Sequence, residues 1–356
     1  MFSSVSINHF RCFDALSIES LERVNLVAGK NNAGKTAFLE ALFLLANGPN
    51  ILPVSALATL RGIQTLHQDV GSELLFGPLF FAFNRESIIK ISGLVEKGKQ
   101  HAVELQMVAD TTLRLAFDDA IAQKVESAAS DLANQKLRLQ YTGPSGKIYR
   151  SRMWIEDRDV RVEAIARNSP FTIHFLTPNA HQSYETDATR FGRLQASKDP
   201  YKLLESLKIV EPRLQGLATI FTAGTPILHC DIGLNHTVPL FLMGTGLRRL
   251  VSILLAIANA PQGIVLIDEI EKGMHYSVLS QVWQAIGHAA RRFNVQVFAT
   301  THNAECIRAA YRAFVKHKSD DFRLHRLERD DKGAIAAVTY DREALEAAVV
   351  TKFEMR

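Results

Sequence analysis

Residues Val24 to Ala46 read VNLVAGKNNAGKTAFLEALFLLA. Gly29 to Thr36 (GKNNAGKT) fill the pattern G-x-x-x-x-G-K-[ST], a phosphate-binding loop. Val24 to Ala28 predict a short buried strand before it. Thr36 to Ala46 predict a helix that is apolar on nearly every side and hence deeply buried. Strand, loop and helix in that order are the setting the motif requires. Gly29 and Gly34 permit backbone conformations that a side chain forbids. The loop, with Asn31, Asn32 and Ala33, then turns its amides inward as a nest for anionic oxygens, and the helix start adds its positive dipole end. Lys35 reaches β- and γ-phosphates, and the Thr36 hydroxyl suits Mg2+. A nucleotide held by its phosphates, with Mg2+, is the ligand this chemistry predicts.

A second chemical stretch lies far downstream. Ile264 to Glu271 (IVLIDEIE) is an apolar run ending in Asp268 and Glu269, as a buried parallel strand ends. In isolation, a solvated strand end explains an acidic pair equally well. Downstream of a phosphate loop it reads as a Walker B motif: Asp268 for the metal, Glu269 as the base that polarises water. Val295 to Thr300 predicts one more buried strand, closed by Thr301-His302-Asn303. His302 there is the candidate γ-phosphate sensor. Ser277 is read as the cap of a helix running to Phe293.

Outward from these stretches, Phe2 to Asn8 and Ala15 to Ile18 predict two strands, an antiparallel layer beside the nucleotide. Arg11 is either a surface charge in their turn or a contact to nucleotide. Residues 54–85 look helical in parts, with a turn at Gly77-Pro78. Residues 87–166 are β-rich, with a hairpin signal at Gly143-Pro144-Ser145-Gly146 and a helix over 120–132. Tyr201 to Ile220 predicts helices, 228–234 and 238–242 strands, and Leu247 to Asn259 a helix after a Gly244-Thr245-Gly246 turn.

The chain has 356 residues, 47% of them hydrophobic, and a net charge of +4, enough for a large core and too mildly basic to argue for nucleic acid. Lys97, Lys99, Arg150, Arg152, Arg158 and Arg161 make the β-rich section locally basic, and a solvated face explains that equally well. Cys12, Cys230 and Cys306 have neither disulfide nor zinc spacing and are expected in the core. No signal peptide and no apolar run long enough for a bilayer are seen, so a soluble, cytoplasmic protein is expected.

Together these pieces resemble the ABC-type ATPases of the RecF, SMC and overcoming-lysogenisation-defect group. Asn8-His9-Phe10-Arg11 is similar to the N-F-R element of that group, GKNNAGKT to its phosphate loop, DEIEKGMHYSVL to its Walker B and D-loop, and THN to its switch histidine. The resemblance covers about 1–47 and 225–356; residues 50–170 match only in style. It implies an α/β fold: an ABC-ATPase head with a mixed sheet and an antiparallel β layer. The head is built from 1–50 and 225–356, with 51–224 as an inserted β-rich and helical section.

The resemblance also implies a mechanism in which two heads close face to face, each ATP lying between one phosphate loop and the other head's signature turn. By position that turn is Gly244, Thr245 and Gly246, although it departs from the family's Ser-Gly-Gly. Arg248 and Arg249 either assist there or face solvent. Gln182 is the best candidate for the Mg2+-touching glutamine. A homodimer or higher oligomer is expected, as is a separate effector protein (nuclease or toxin), since neither a long coiled coil nor room for a Toprim nuclease domain is seen after His302. Anti-phage defence is the leading role. The alternatives are a slow, nucleotide-gated scaffold or a DNA-repair ATPase of RecF or SMC kind. A transporter subunit and a small-molecule kinase fit the motifs poorly.

Overall fold

The structure, a computed structural model, describes residues 1–62, 72–95, 98–109, 135–156, 159–164, 169–178, 184–197, 199–314 and 320–350. The chain opens with β1 (Phe2–Phe10), β2 (Phe13–Ile18) and β3 (Val24–Gly29), then α1 (Lys35–Asn47), α2 (Pro53–Leu60) and α3 (Ser72–Phe76). After two single 3-10 turns come β4 (Ile89–Val95), β5 (Lys99–Ala109), β6 (Gln135–Thr142), β7 (Ile148–Glu156), β8 (Asp159–Ala164) and β9 (Ile173–Leu176). Helices α4 (Tyr184–Ala196) and α5 (Pro200–Lys208) precede β10 (Gly216–Thr222), β11 (Thr225–Asp231) and β12 (Val238–Pro239). The last part runs α6 (Thr245–Ala258), β13 (Ile264–Ile267), α7 (Leu279–Arg292), β14 (Gln296–Thr301), α8 (Ala304–Phe314), β15 (Phe322–Arg329), β16 (Ile335–Tyr340) and α9 (Arg342–Val350).

Six strands form the central sheet in the order β16-β15-β3-β14-β13-β9, parallel except for the β15–β16 pair. β3, β13 and β14 are buried along their whole lengths, as strands covered on both faces must be. Their side chains alternate between two cores. Val24, Leu26, Val265, Ile267, Val297 and Ala299 face the helices α4 to α8. Val27, Ile264, Leu266 and Phe298 face the other way, towards α1 and the second sheet.

That second sheet is antiparallel, in the order β2-β1-β4-β5-β6-β7-β8. Helix α1 lies between the sheets, on β14 of one and on β4 and β5 of the other. It has two apolar walls and no solvent face, which explains its unbroken hydrophobicity. Buried Gln296 ties the layers together: its amide accepts from Phe2 N and donates to Phe2 O, both at 2.8 Å.

Several expectations change. The section 51–224 does not coincide with a sheet boundary: β4 to β8 continue the sheet begun by β1, and β9 pairs with β13 inside the central sheet. The helical reading of 201–220 is corrected, because 216–222 is a strand. It pairs with β11 through Ala223 and Gly224, both at positive φ (49° and 82°), the turn geometry that matches strand twist. The strand expected over 238–242 ends at Pro239 and becomes a 3-10 turn. Ser277 does not cap α7; it sits in a 3-10 turn whose own cap is His275. Strand β16 is not expected from the sequence, and the helix over 120–132 lies outside the described residues. Cys230 and Cys306 are buried as expected, whereas Cys12 is only partly buried.

Candidate functional site

β3, β14 and β13 are neighbours and parallel, so their C-terminal ends share one edge of the sheet, where ligands bind in open α/β folds. That edge carries the phosphate loop, Thr301-His302 and Asp268-Glu269. A cleft of about 810 Å³ opens there, lined by Asn31, Asn32, Gly34, Lys35, Thr36, Asp268, Glu269 and His302, and by Arg11 on a further wall. The two stretches that sequence motifs single out, more than 200 residues apart, thus meet.

The loop has the geometry its glycines require. Gly34 stands at φ 91°, and a Cβ there would lie 2.7 Å from the Phe13 ring and 2.9 Å from Cys12 Sγ. A Cβ on Gly29 would lie 2.7 Å from Leu327 O. Ala33 N donates to Lys30 O at 3.3 Å, and the Ala33 methyl is buried. Lys35 Nζ folds back to donate to Gly29 O and Lys30 O, both at 2.8 Å. Burial lowers its pKa, opposed by Asp268 and Glu269. No side chain caps the first amides of α1.

Thr36 Oγ1 donates to Asp268 Oδ2 at 2.9 Å. A hydroxyl beside a carboxylate is a hard-oxygen pair of the kind Mg2+ takes together with phosphate oxygens, so the residues present fit that ion. Thr300 holds the second Asp268 oxygen, donating to Oδ1 at 2.5 Å, and accepts from Glu269 N at 2.9 Å. Glu269 itself stands at φ 47°, unusual for a non-glycine. Arg249 Nη2 donates to Asp268 O (2.9 Å) and Glu269 O (3.1 Å). Of the two arginines left open by sequence, Arg249 therefore braces the Walker B turn of its own chain. Burial lowers its pKa, against the pull of Glu271 and Asp268. Arg248 lies over the Tyr184 ring at 4.6 Å.

His302 is about half exposed, with Nδ1 3.7 Å from Glu271 Oε1. Glu271 is buried and accepts from Thr301 Oγ1 at 2.8 Å and His302 N at 3.4 Å. Also on the cleft, Arg11 Nε lies 2.9 Å from Glu40 Oε2, and Arg61 donates to both Glu40 oxygens at 2.6 and 2.9 Å. Burial lowers the Arg11 pKa, whereas the bond to Glu40 raises that of Arg61. Arg329 closes another side, donating to Asn32 O at 3.1 Å.

Gly244, Thr245 and Gly246 do not line this cleft. They start α6 away from it and rest on the turn that follows Asp268-Glu269, where Thr245 Oγ1 donates to Gly273 O at 3.2 Å. Leu242 and Tyr276 beside them are 66% and 63% exposed, large apolar surfaces open to solvent. Gln182 lies outside the described residues. Sequence reading missed Glu40, Arg61, Thr300, Glu271, Arg329 and the 77–83 segment. Thr300 and Glu271 stand inside or beside recognised motifs, where a signal existed; Arg61 and Phe83 carry no local signal.

Two family models match the chain: "AAA ATPase domain" over residues 1–54, and "AAA domain, putative AbiEii toxin, Type IV TA system" over residues 157–308. An ATP/GTP phosphatase of Helicobacter pylori is 22% identical over 367 residues, 96% of each chain. A DNA replication and repair protein RecF of Hydrogenovibrio crunogenus is 36% identical over 146 residues, covering 40% of this chain and 34% of that protein. Among solved structures, an SMC head bound to the C-winged helix domain of ScpA superposes with TM-score 0.51 at 12% identity, covering 98% of this chain and 99% of that one. The fold is that of an ABC-type ATPase head, with its mixed sheet and antiparallel β layer. Among the described residues no helix is long and apolar enough to cross a membrane.

Proposed function

We propose that this chain is a Mg2+-dependent ATPase of ABC type, working as a head-to-head pair. The observation that carries this reading is the 2.9 Å contact of Thr36 with Asp268 at the foot of a phosphate loop, with Glu269 and His302 on the same cleft. Phosphates lie on the loop amides and Lys35. Thr36 and Asp268 would hold a Mg2+ ion, which would supply charge neutralisation to the bound phosphates. Glu269, its backbone fixed by Thr300 and Arg249, accepts a proton from water as that water attacks the γ-phosphorus. The bond to the bridging oxygen breaks, and phosphate and ADP leave. His302, half exposed on the same cleft, is the group we assign to donate to a γ-phosphate oxygen.

The second copy completes the site. A signature turn that lies off its own cleft, among exposed apolar side chains, is suited to another chain's nucleotide. Closing and opening of the pair would pass the state of the nucleotide to a separate effector. Control of a toxin-type effector is the role we favour, in keeping with the toxin-system description of the model that matches residues 157–308, and we propose anti-phage defence as its setting. The RecF similarity favours DNA repair as the second reading.

The test is light scattering and phosphate release for wild type and Glu269→Gln, each with and without MgATP. We expect ATP-dependent growth to a dimer that persists in Glu269→Gln while phosphate release falls at least a hundredfold, in the range of a lost general base. A monomer under every condition overturns the paired mechanism. Full phosphate release from Glu269→Gln overturns the role of Glu269. Stimulation of phosphate release by duplex DNA would turn the role towards repair.

A further inference from the structure

One wall of the cleft is unexplained by phosphate chemistry. Phe80, Ala82 and Phe83 line it, together with Pro78, next to Arg11 and Arg61. Phe80 is buried, yet Phe83 is 71% exposed, among the most exposed large apolar side chains described. A lone exposed phenylalanine means little. This one is displayed by an unusual backbone. Ala82 and Phe83 are consecutive non-glycine residues at φ 51° and 58°. The left-handed region disfavours any side chain there, and such conformations persist only where the surroundings over-determine them.

The surroundings do so here. Arg11 N donates to Leu79 O at 2.8 Å, and Arg11 Nη1 to Pro78 O at 3.2 Å. Phe10 and Phe80 pair as an antiparallel bridge. Phe83 N donates to Phe80 O at 3.1 Å, and Asn84 N to Phe81 O at 3.0 Å. The segment is thereby riveted to the turn that carries Arg11, and its one exposed ring stands on the cleft that holds the phosphate loop.

We propose that Phe83 is the nucleobase platform of this cleft: its ring stacks on the base of a nucleoside triphosphate whose phosphates lie on the Gly29–Thr36 loop. This rests on the nucleotide-binding reading above and deepens it. Stacking reads area and not the hydrogen-bonding edge, since every base has a π-face. The site therefore takes purine triphosphates, ATP and GTP alike, ahead of pyrimidine ones, whose smaller rings cover less of the phenyl face.

The experiment is calorimetric titration of the full chain with the magnesium salts of ATP, GTP, UTP and inorganic tripolyphosphate. Wild type, Phe83→Ala, Phe83→Trp and Lys35→Ala are compared. Phe83→Ala should weaken ATP and GTP roughly 5- to 150-fold, the range of one base–aromatic stack, and leave tripolyphosphate affinity within about twofold. Phe83→Trp should retain ATP affinity, with indole fluorescence quenched by ATP and not by tripolyphosphate. Unchanged ATP affinity in Phe83→Ala overturns the platform, as does an equal loss for ATP and tripolyphosphate. An unquenched Trp at that position, with ATP bound, also overturns it. If wild type binds neither ATP nor tripolyphosphate, or Lys35→Ala binds both as wild type does, the nucleotide-binding reading itself fails, and the two failures are distinguishable.

Discussion

Replacing Glu40 with Ala removes the single carboxylate between two guanidinium groups. The Glu40 side chain is 2% exposed, that of Arg11 9% and that of Arg61 41%. In the variant, Arg61, whose own side chain is partly exposed, turns into water and is solvated at little cost. Arg11 cannot follow. Its charge stays buried with the Pro78 carbonyl and no anionic partner, which costs about 2–3 kcal/mol for lost charged hydrogen bonds, towards the lower end of broken buried pairs. The expected loss is about 3 kcal/mol, which lowers Tm by roughly 4 °C for a chain of this size. Thermal unfolding followed by circular dichroism measures it. Glu40→Ala with Arg11→Met should regain part of the loss, because the stranded charge goes with it. A Tm change below about 1 °C refutes the reasoning, and so does a double variant no more stable than the single one.

Further outcomes follow from the same geometry. Gly34→Ala forces a Cβ to within 2.7 Å of the Phe13 ring at φ 91°, so both stability (by about 2 kcal/mol or more) and tripolyphosphate binding should fall, read by thermal unfolding and calorimetry. Thr300→Val removes the donor to Asp268 and the acceptor of Glu269 N; turnover should fall about 10- to 100-fold at saturating ATP, and an unchanged kcat would show that neither carboxylate needs it. The imidazole of His325 is buried in β15, and burial pulls its pKa from 6.5 to about 3, so it is neutral in the native protein. The unfolded chain takes up a proton below about pH 6.5. The stability from this group is therefore complete above that pH and is lost, at about 1.4 kcal/mol per unit, as pH falls towards 3. Urea unfolding at pH 7, 6 and 5 should show a slope that His325→Gln flattens; an unaltered slope removes His325 from the account.

Chemistry written in contiguous residues is legible in the sequence. Gly29 to Thr36 declare a loop, because only that order of glycines, lysine and hydroxyl builds an anion nest at a helix start. The apolar runs before Asp268 and Thr301 declare buried parallel strands, because both faces of such strands are covered. The hairpin at 143–146 falls between β6 and β7, since its turn residues act locally. The misreadings fall where pairing decides. Residues 216–222 carry enough apolar residues for either period, and only β11 alongside made them a strand.

What tertiary structure alone decided is the company each group keeps. Sequence did not reveal that β4 to β8 extend the sheet begun by β1, that Arg61 and Arg11 share Glu40, or that Phe83 stands on the cleft of Lys35. Those facts come from contacts between residues far apart in the chain, whose free energy appears only once the backbone has closed long loops. The phosphate loop, by contrast, is dictated by steric limits within eight consecutive residues, and so the sequence by itself determined it.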